Sequence, residues 1–305
     1  MADILSNDVE KDELYKNEIP YRIVRNMAKM YWPNRYNEEL AKYGLVLVKP
    51  EALITGKTKE IFSILQAEGY ELIYYVRKNI GAVRTSEMWK FSWLNSSMEH
   101  ILINQKLFSM CDSLILILRS QCLCGKSTCE MLTKLKGSAF ESKREPYQIR
   151  WKIKPINYVL NYVHTSDDSS DFLREVGILL DWDELIQAFE AMVEAMVSNH
   201  IKSYPSIEVK AILPSQDYTL IKWLNKIYYK TEISNIPAPD KIYIRENIQA
   251  LKNSTCQKIT FNFLCVLCKY NLIQWDFETI VKYSLQGTTQ GNGLTGGLPP
   301  VRFSM

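Results

Sequence analysis

Asn161-Tyr162-Val163-His164-Thr165-Ser166-Asp167 is the stretch from which the rest of the chain is read. The apolar run at 158–163 has the length and composition of a buried strand. Asp167, Asp168 and Ser169 are N-cap candidates for a helix after it. His164, one of only three histidines, then stands at a strand end facing a helix start, where free backbone N–H groups favour an anion. Glu175, about two turns into that helix, is placed to hold the imidazole by one nitrogen and leave the other as a nucleophile. A core histidine bonded to a neighbour is the simpler reading, and the stretch alone does not separate the two.

Outward from this point the pattern alternates strand and helix. Residues 44–49 form an apolar strand, and 58–68 are helical by Ile61, Phe62 and Leu65, with Gly69 as the residue that closes the helix. Residues 70–76, rich in aromatic and β-branched side chains, read as a second strand. Helices are expected at 85–95 and 98–109, then a third strand at 113–118 with no polar alternation, so buried on both faces. A helix at 127–136 and a long loop at 137–155 lead back to the run at 158–163. Four strands with helices between them make an α/β sandwich.

Three segments in order carry a resemblance. Asn161, His164, Ser166, Asp167 and Glu175 resemble the active-site pattern of the nucleoside diphosphate kinase family, Asn-x-x-His-Gly-Ser-Asp with a glutamate in the next helix. Leu45-Val46-Leu47-Val48-Lys49-Pro50-Glu51-Ala52 is similar to that family's opening strand, which ends in Lys-Pro-Asp and a small residue. Ile149-Arg150 matches the Ile-Arg before its catalytic strand. The resemblance spans residues 43 to 185, roughly half the chain. It implies a ferredoxin-like βαββαβ arrangement and transfer of the γ-phosphate of ATP, or another nucleoside triphosphate, to a diphosphate through His164.

The resemblance also implies roles. Glu175, helped by Ser166, would orient the ring, and Lys49 would lie against the transferring group. Arg150 would bind phosphate oxygens, and Asn161 would contact ribose or phosphate. Trp89 falls near one of the two aromatics that clamp the base, and Ile101 near the other. Mg²⁺ would arrive on the nucleotide, and no metal ligands are assigned to the protein. Family members assemble as tetramers or hexamers, contacts that an appended helical domain would obstruct. The departures are Thr165 for the glycine after the histidine, which would set a branched side chain beside the phosphate, and 131–140. That segment has neither the family's arginine nor its Thr-Asn-Pro turn, although Lys134, Lys136, Lys143 and Arg144 offer charge.

Composition bounds the rest. At 305 residues and 47% hydrophobic the chain can bury a sizeable core, and a net charge of +3 gives no ground for a nucleic-acid partner. The polar N-terminus does not read as a signal peptide, and the longest apolar runs are too short to span a bilayer, so a cytoplasmic protein is expected. Seven cysteines then read as reduced thiols, small core hydrophobes rather than a zinc site. The expected organisation is an N-terminal helical extension at 1–40 with a helix at 21–30, a kinase-like domain at 41–184, a helical domain at 185–286 and a flexible Gly/Pro-rich tail at 287–305. Helices are expected at 183–197, 215–229, 240–253, 255–273 and 276–285. The second half holds no catalytic constellation, and its amphipathic helices and tail suit recognition of a protein partner. A kinase-like nucleotide-binding adaptor with weak or no turnover is the alternative to an active enzyme.

Overall fold

The computed structural model describes residues 5, 8–121, 125–197, 203–204, 220–253, 259–273 and 279–281. The tail at 287–305, His200, Cys122, Cys124 and most of the expected helix at 276–285 lie outside these. In chain order the elements are α1 (Val9–Tyr15), α2 (Ile19–Tyr31), α3 (Tyr36–Leu40), β1 (Tyr43–Val48), α4 (Pro50–Ile54), α5 (Thr58–Ala67), β2 (Tyr70–Lys78), α6 (Gly81–Trp89) and α7 (Met98–Met110). Then come β3 (Ser113–Ser120), α8 (Thr128–Lys136), α9 (Ile149–Ile153), β4 (Val163–Thr165), α10 (Ser169–Leu179), α11 (Trp182–Val197), α12 (Leu220–Ile233), α13 (Ala238–Lys252) and α14 (Phe261–Lys269).

The four strands form one antiparallel sheet in the order β2-β3-β1-β4. With α5 crossing from β1 to β2 and α8 from β3 to β4, this is the ferredoxin-like βαββαβ arrangement. β1 is buried along its whole length, and its side chains alternate between two cores. Val46 and Val48 face Ile61, Phe62 and Leu65 of α5 and Leu132 and Leu135 of α8. Leu45 and Leu47 face the opposite layer, which holds Tyr21, Val24 and Met27 of α2, Phe172 and Val176 of α10, and Phe189 and Met192 of α11. Each fully buried aliphatic side chain here stabilises the fold by about 1.5–3 kcal/mol relative to exposure. The N-terminal extension thus packs on the sheet, and so does α11.

A third cluster joins Trp223, Ile227, Ile244, Ile248, Phe263 and Leu267 of α12–α14 to Ile103 and Leu107 of α7 and to Val159 and Leu160. The C-terminal helices therefore sit against the segment that leads into β4.

Short helices α3 and α4 form where none is expected, and α14 is shorter than the helix expected at 255–273. Four further departures bear on the site. The run at 158–163 is a strand only from Val163. Asn157 Oδ1 accepts from the N–H groups of Val159 and Leu160, and Asn161 Nδ2 donates to the Tyr158 carbonyl, so local side-chain bonds replace the ladder. Tyr162 then turns the chain with φ +72°. The helix expected at 85–95 starts at Gly81 and ends at Trp89, with a 3₁₀ turn over Ser92–Asn95. The loop at 137–155 contains the helical turn α9. Helix α1 forms where no helix is marked by periodicity.

Candidate active site

The Leu47–His164 pairing of β1 and β4 fixes which way the histidine faces. Directly opposed residues share a face, so His164 projects into the layer of α6 and α10, while Val163 and Thr165 project into the other. Asp168 caps α10, accepting from the Asp171 N–H at 2.9 Å, and so starts the helix at a fixed point after β4. Glu175 then lies beneath the imidazole. His164 Nε2 stands 2.8 Å from Glu175 Oε1, and Ser166 Oγ donates to Glu175 Oε2 at 2.6 Å. Because an ionised carboxylate only accepts, Nε2 carries the proton and Nδ1 keeps its lone pair. The His164 side chain is 20% exposed, while Glu175 is buried.

An aromatic wall stands beside the ring. Trp89 meets His164 nearly edge-on, with centroids 5.4 Å apart and planes at 79°, and packs on Phe108 at 5.2 Å. Lys49 Nζ lies 5.7 Å from the centroid of Phe108. His164 and Lys49 thus share one wall, and Trp89 lines the imidazole rather than standing apart from it. Ile101, near which the second base clamp falls, lies on α7.

Asn161 joins the two expected phosphate-binding cations. Its Oδ1 accepts from Arg150 Nη2 at 3.0 Å and from Lys49 Nζ at 3.4 Å. Lys49 Nζ also donates to the Val159 carbonyl at 2.8 Å and pairs with Glu51 at 3.1 Å, and the side chain is buried. Arg150, also buried, donates through Nε to Asn161 O, through Nη1 to Gly137 O and through Nη2 to Val163 O. With the bond to Asn161 Oδ1, its fork ties α9 and the start of β4 together.

Burial weighs on the cations of the site. Burial pushes the Lys49 ammonium down, Glu51 opposing and Arg150 adding to the effect. Burial, then the Arg144 charge, brings Arg150 down to about 10. Lys136 is lowered too, chiefly by burial, with Asp167 pulling the other way. Buried cations lowered in this way gain from an incoming anion.

Two members, Glu51 and Thr133, were not singled out in the sequence. Glu51 is fully buried and accepts from the Tyr162 N–H at 3.0 Å, which sets the turn before β4. Thr133 Oγ1 lies 2.8 Å from Thr165 Oγ1 and donates to Asp167 at 3.0 Å. Lys136 Nζ reaches Asp167 at 3.3 Å, the cation of this segment that enters the site region. The Lys-Pro-Glu motif marks Glu51, but nothing in the sequence marks Thr133. Thr165 is fully buried against Thr133, so its branched side chain lies away from the face that carries His164. Among the described residues, no cluster of three or more His, Cys, Asp or Glu could hold a metal ion.

Sequence comparison finds a distant relative. The chain is 22% identical over 147 residues to a nucleoside diphosphate kinase of Pyrococcus abyssi, covering 46% of this chain and 85% of that protein. Similar solved structures include the Aquifex aeolicus nucleoside diphosphate kinase, at 16% identity and a TM-score of 0.40, covering 47% of this chain and 97% of that one. The Borrelia burgdorferi nucleoside-diphosphate kinase with bound vanadate and ADP matches at 15% identity and a TM-score of 0.38, covering 47% of this chain and 88% of that one. No family model matches the chain. Over slightly less than half its length the chain is divergent and nucleoside diphosphate kinase-like.

Proposed function

We propose that this chain is a nucleotide phosphotransferase that moves the γ-phosphate of a nucleoside triphosphate, such as ATP, through a phosphohistidine at His164. The observation that carries the reading is the imidazole held through Nε2 by Glu175, itself held by Ser166, with Nδ1 left as nucleophile on the aromatic wall that it shares with buried Lys49. The Nδ1 lone pair attacks the γ-phosphorus, the bond to the β–γ bridging oxygen breaks, and the nucleoside diphosphate leaves with that electron pair. The ring gains positive charge on attack, and Glu175 stabilises it through the Nε2 proton. In the second half a terminal phosphate oxygen of an acceptor diphosphate attacks the same phosphorus, and the N–P electrons return to Nδ1.

Lys49 and Arg150 are the cations for the phosphate oxygens, with Asn161 setting their spacing and Trp89 walling the imidazole. The donor set suits a polyphosphate that brings its own Mg²⁺, which would neutralise phosphate charge, rather than an ion held by the chain. Residues 41–184 serve as the transfer unit. The helices after α11, with the tail at 287–305, serve for recognition of a protein partner.

A second reading has one observation in its favour. Lys49 and Arg150 already donate to Val159 O, Gly137 O, Val163 O and Asn161, the arrangement of a nucleotide-binding adaptor without turnover. The test is transfer from ATP to a second nucleoside diphosphate, followed as formation of the new triphosphate. Turnover by wild type that is lost in His164→Ala supports the enzyme; nucleotide binding without turnover supports the adaptor.

A further inference from the structure

Helix α1 docks on the face of α10 that carries Glu175, and it does so through charge. Lys11 Nζ bonds to Asp168 Oδ2 at 2.7 Å and to Asp171 Oδ2 at 2.5 Å, both across more than 150 residues of chain. Tyr15 OH donates to the other oxygen of Asp171 at 2.9 Å. Asp171 and Glu175 are one helical turn apart and both are buried. Two buried carboxylates at that spacing repel, and the repulsion is relieved when one takes up a proton or swings away. Displacement of Glu175 would release the His164 ring.

The pattern of bonds shows how the conflict is held off. Both oxygens of Asp171 are engaged by α1, which compensates its charge with a half-buried ammonium. The docking is itself secured by Arg174, whose guanidinium lies 5.1 Å from the Tyr15 ring and 5.0 Å from Phe91 while its Nε donates to Glu18 at 2.7 Å. Other titratable groups facing this carboxylate pair are Asp168 on α10, His164 on β4, and Cys129 and Lys136 on α8. Lys11 is the cation that bonds Asp171 directly.

We infer that Lys11 and Tyr15 are positioning residues for the site: by holding Asp171 they keep Glu175 bonded to His164 and Ser166, which makes the N-terminal helix a working part of the centre. The inference rests on the proposed role of His164. In agreement with it, burial and then the Glu175 charge push the Asp171 carboxyl up to about 6, with Lys11 pulling against both.

The test uses the full chain with Lys11→Met, Lys11→Arg and Tyr15→Phe. Two measurements are made: ¹⁵N NMR of the His164 ring, which reports which nitrogen carries the proton, and His164 labelling by γ-labelled ATP from pH 5 to 9. Wild type and Lys11→Arg should show the proton on Nε2. Lys11→Met should show altered ring signals and labelling slower by roughly tenfold, the lower end for an outer partner of a working imidazole. ATP affinity should stay unchanged, and the defect should deepen as pH rises and Asp171 ionises without its cation. Tyr15→Phe, which removes a single hydroxyl, should shift the ring signals in the same direction by less. Ring signals identical to wild type in a folded Lys11→Met or Tyr15→Phe protein overturn the inference. A wild type that takes no label sinks the transfer reading instead, while the ring signals still decide whether α1 sets the histidine.

Discussion

At the scale of single residues, the candidate site divides side chains that share the face of His164 from those that hold the fold. Thr165 replaces the glycine of the resembled motif, yet it is buried on the far face of β4 beside Thr133. Thr165→Gly should therefore leave His164 labelling unimproved and destabilise the protein by about 1–3 kcal/mol, through a lost buried side chain and a freer backbone. A gain in labelling rate at unchanged denaturation midpoint would contradict this placement. His100 gives a pH test. Burial, then the Lys49 charge, push its imidazole down to about 4. The unfolded chain binds the proton first as pH falls, so the stability linked to neutral His100 is complete above about 6.5 and lost as pH falls through about 4. Thermal melting from pH 7 to 4 should fall less steeply in His100→Gln; parallel curves would count against the half-buried neutral ring. The His164–Glu175 pair was legible because a strand end, a cap and two helical turns fix its spacing. The partners of Arg150 were not, because they are carbonyls of residues 137, 161 and 163, which no side chain announces.

At the scale of elements, the close contact of α2 with α10 ties the N-terminal extension to the site. A Cβ on Gly177 would stand 2.5 Å from the Pro20 carbonyl oxygen, so the helices approach through that glycine. Gly177→Ala should cost about 1–3 kcal/mol by overpacking, read from chemical denaturation, despite its better helix propensity. An unchanged or higher midpoint would show that the two helices are not so close. The strands at 44–49, 70–76 and 113–118 were readable because both faces of the central strands are buried and their apolar runs are continuous. The fourth was misread because its apolar side chains are used differently. Val159 and Leu160 fill the C-terminal helical cluster, while Asn157 and Asn161 supply local bonds that only the fold reveals. Helix α1 was missed because ion pairs to Asp168 and Asp171, rather than an apolar stripe, hold it in place.

At the scale of the whole molecule, two layers cover the sheet and a third cluster couples α12–α14 to the segment before β4. Removing residues 220–305 should expose Ile103, Leu107, Val159 and Leu160, lower the melting temperature and raise binding of a hydrophobic dye. Because Val159 O and Asn161 hold Lys49, nucleotide affinity should change as well. A truncated protein with wild-type melting and affinity would show that the helices are energetically separate. The central claim, a phosphoryl group carried by His164, is tested most directly by incubating wild type, His164→Ala and Glu175→Ala with γ-labelled ATP and Mg²⁺, then splitting each sample between acid and alkali. The expected result is alkali-stable, acid-labile label on wild type, none on His164→Ala, and label on Glu175→Ala that appears roughly 10–100-fold more slowly. Equal label on wild type and His164→Ala, or no label on either, would contradict it.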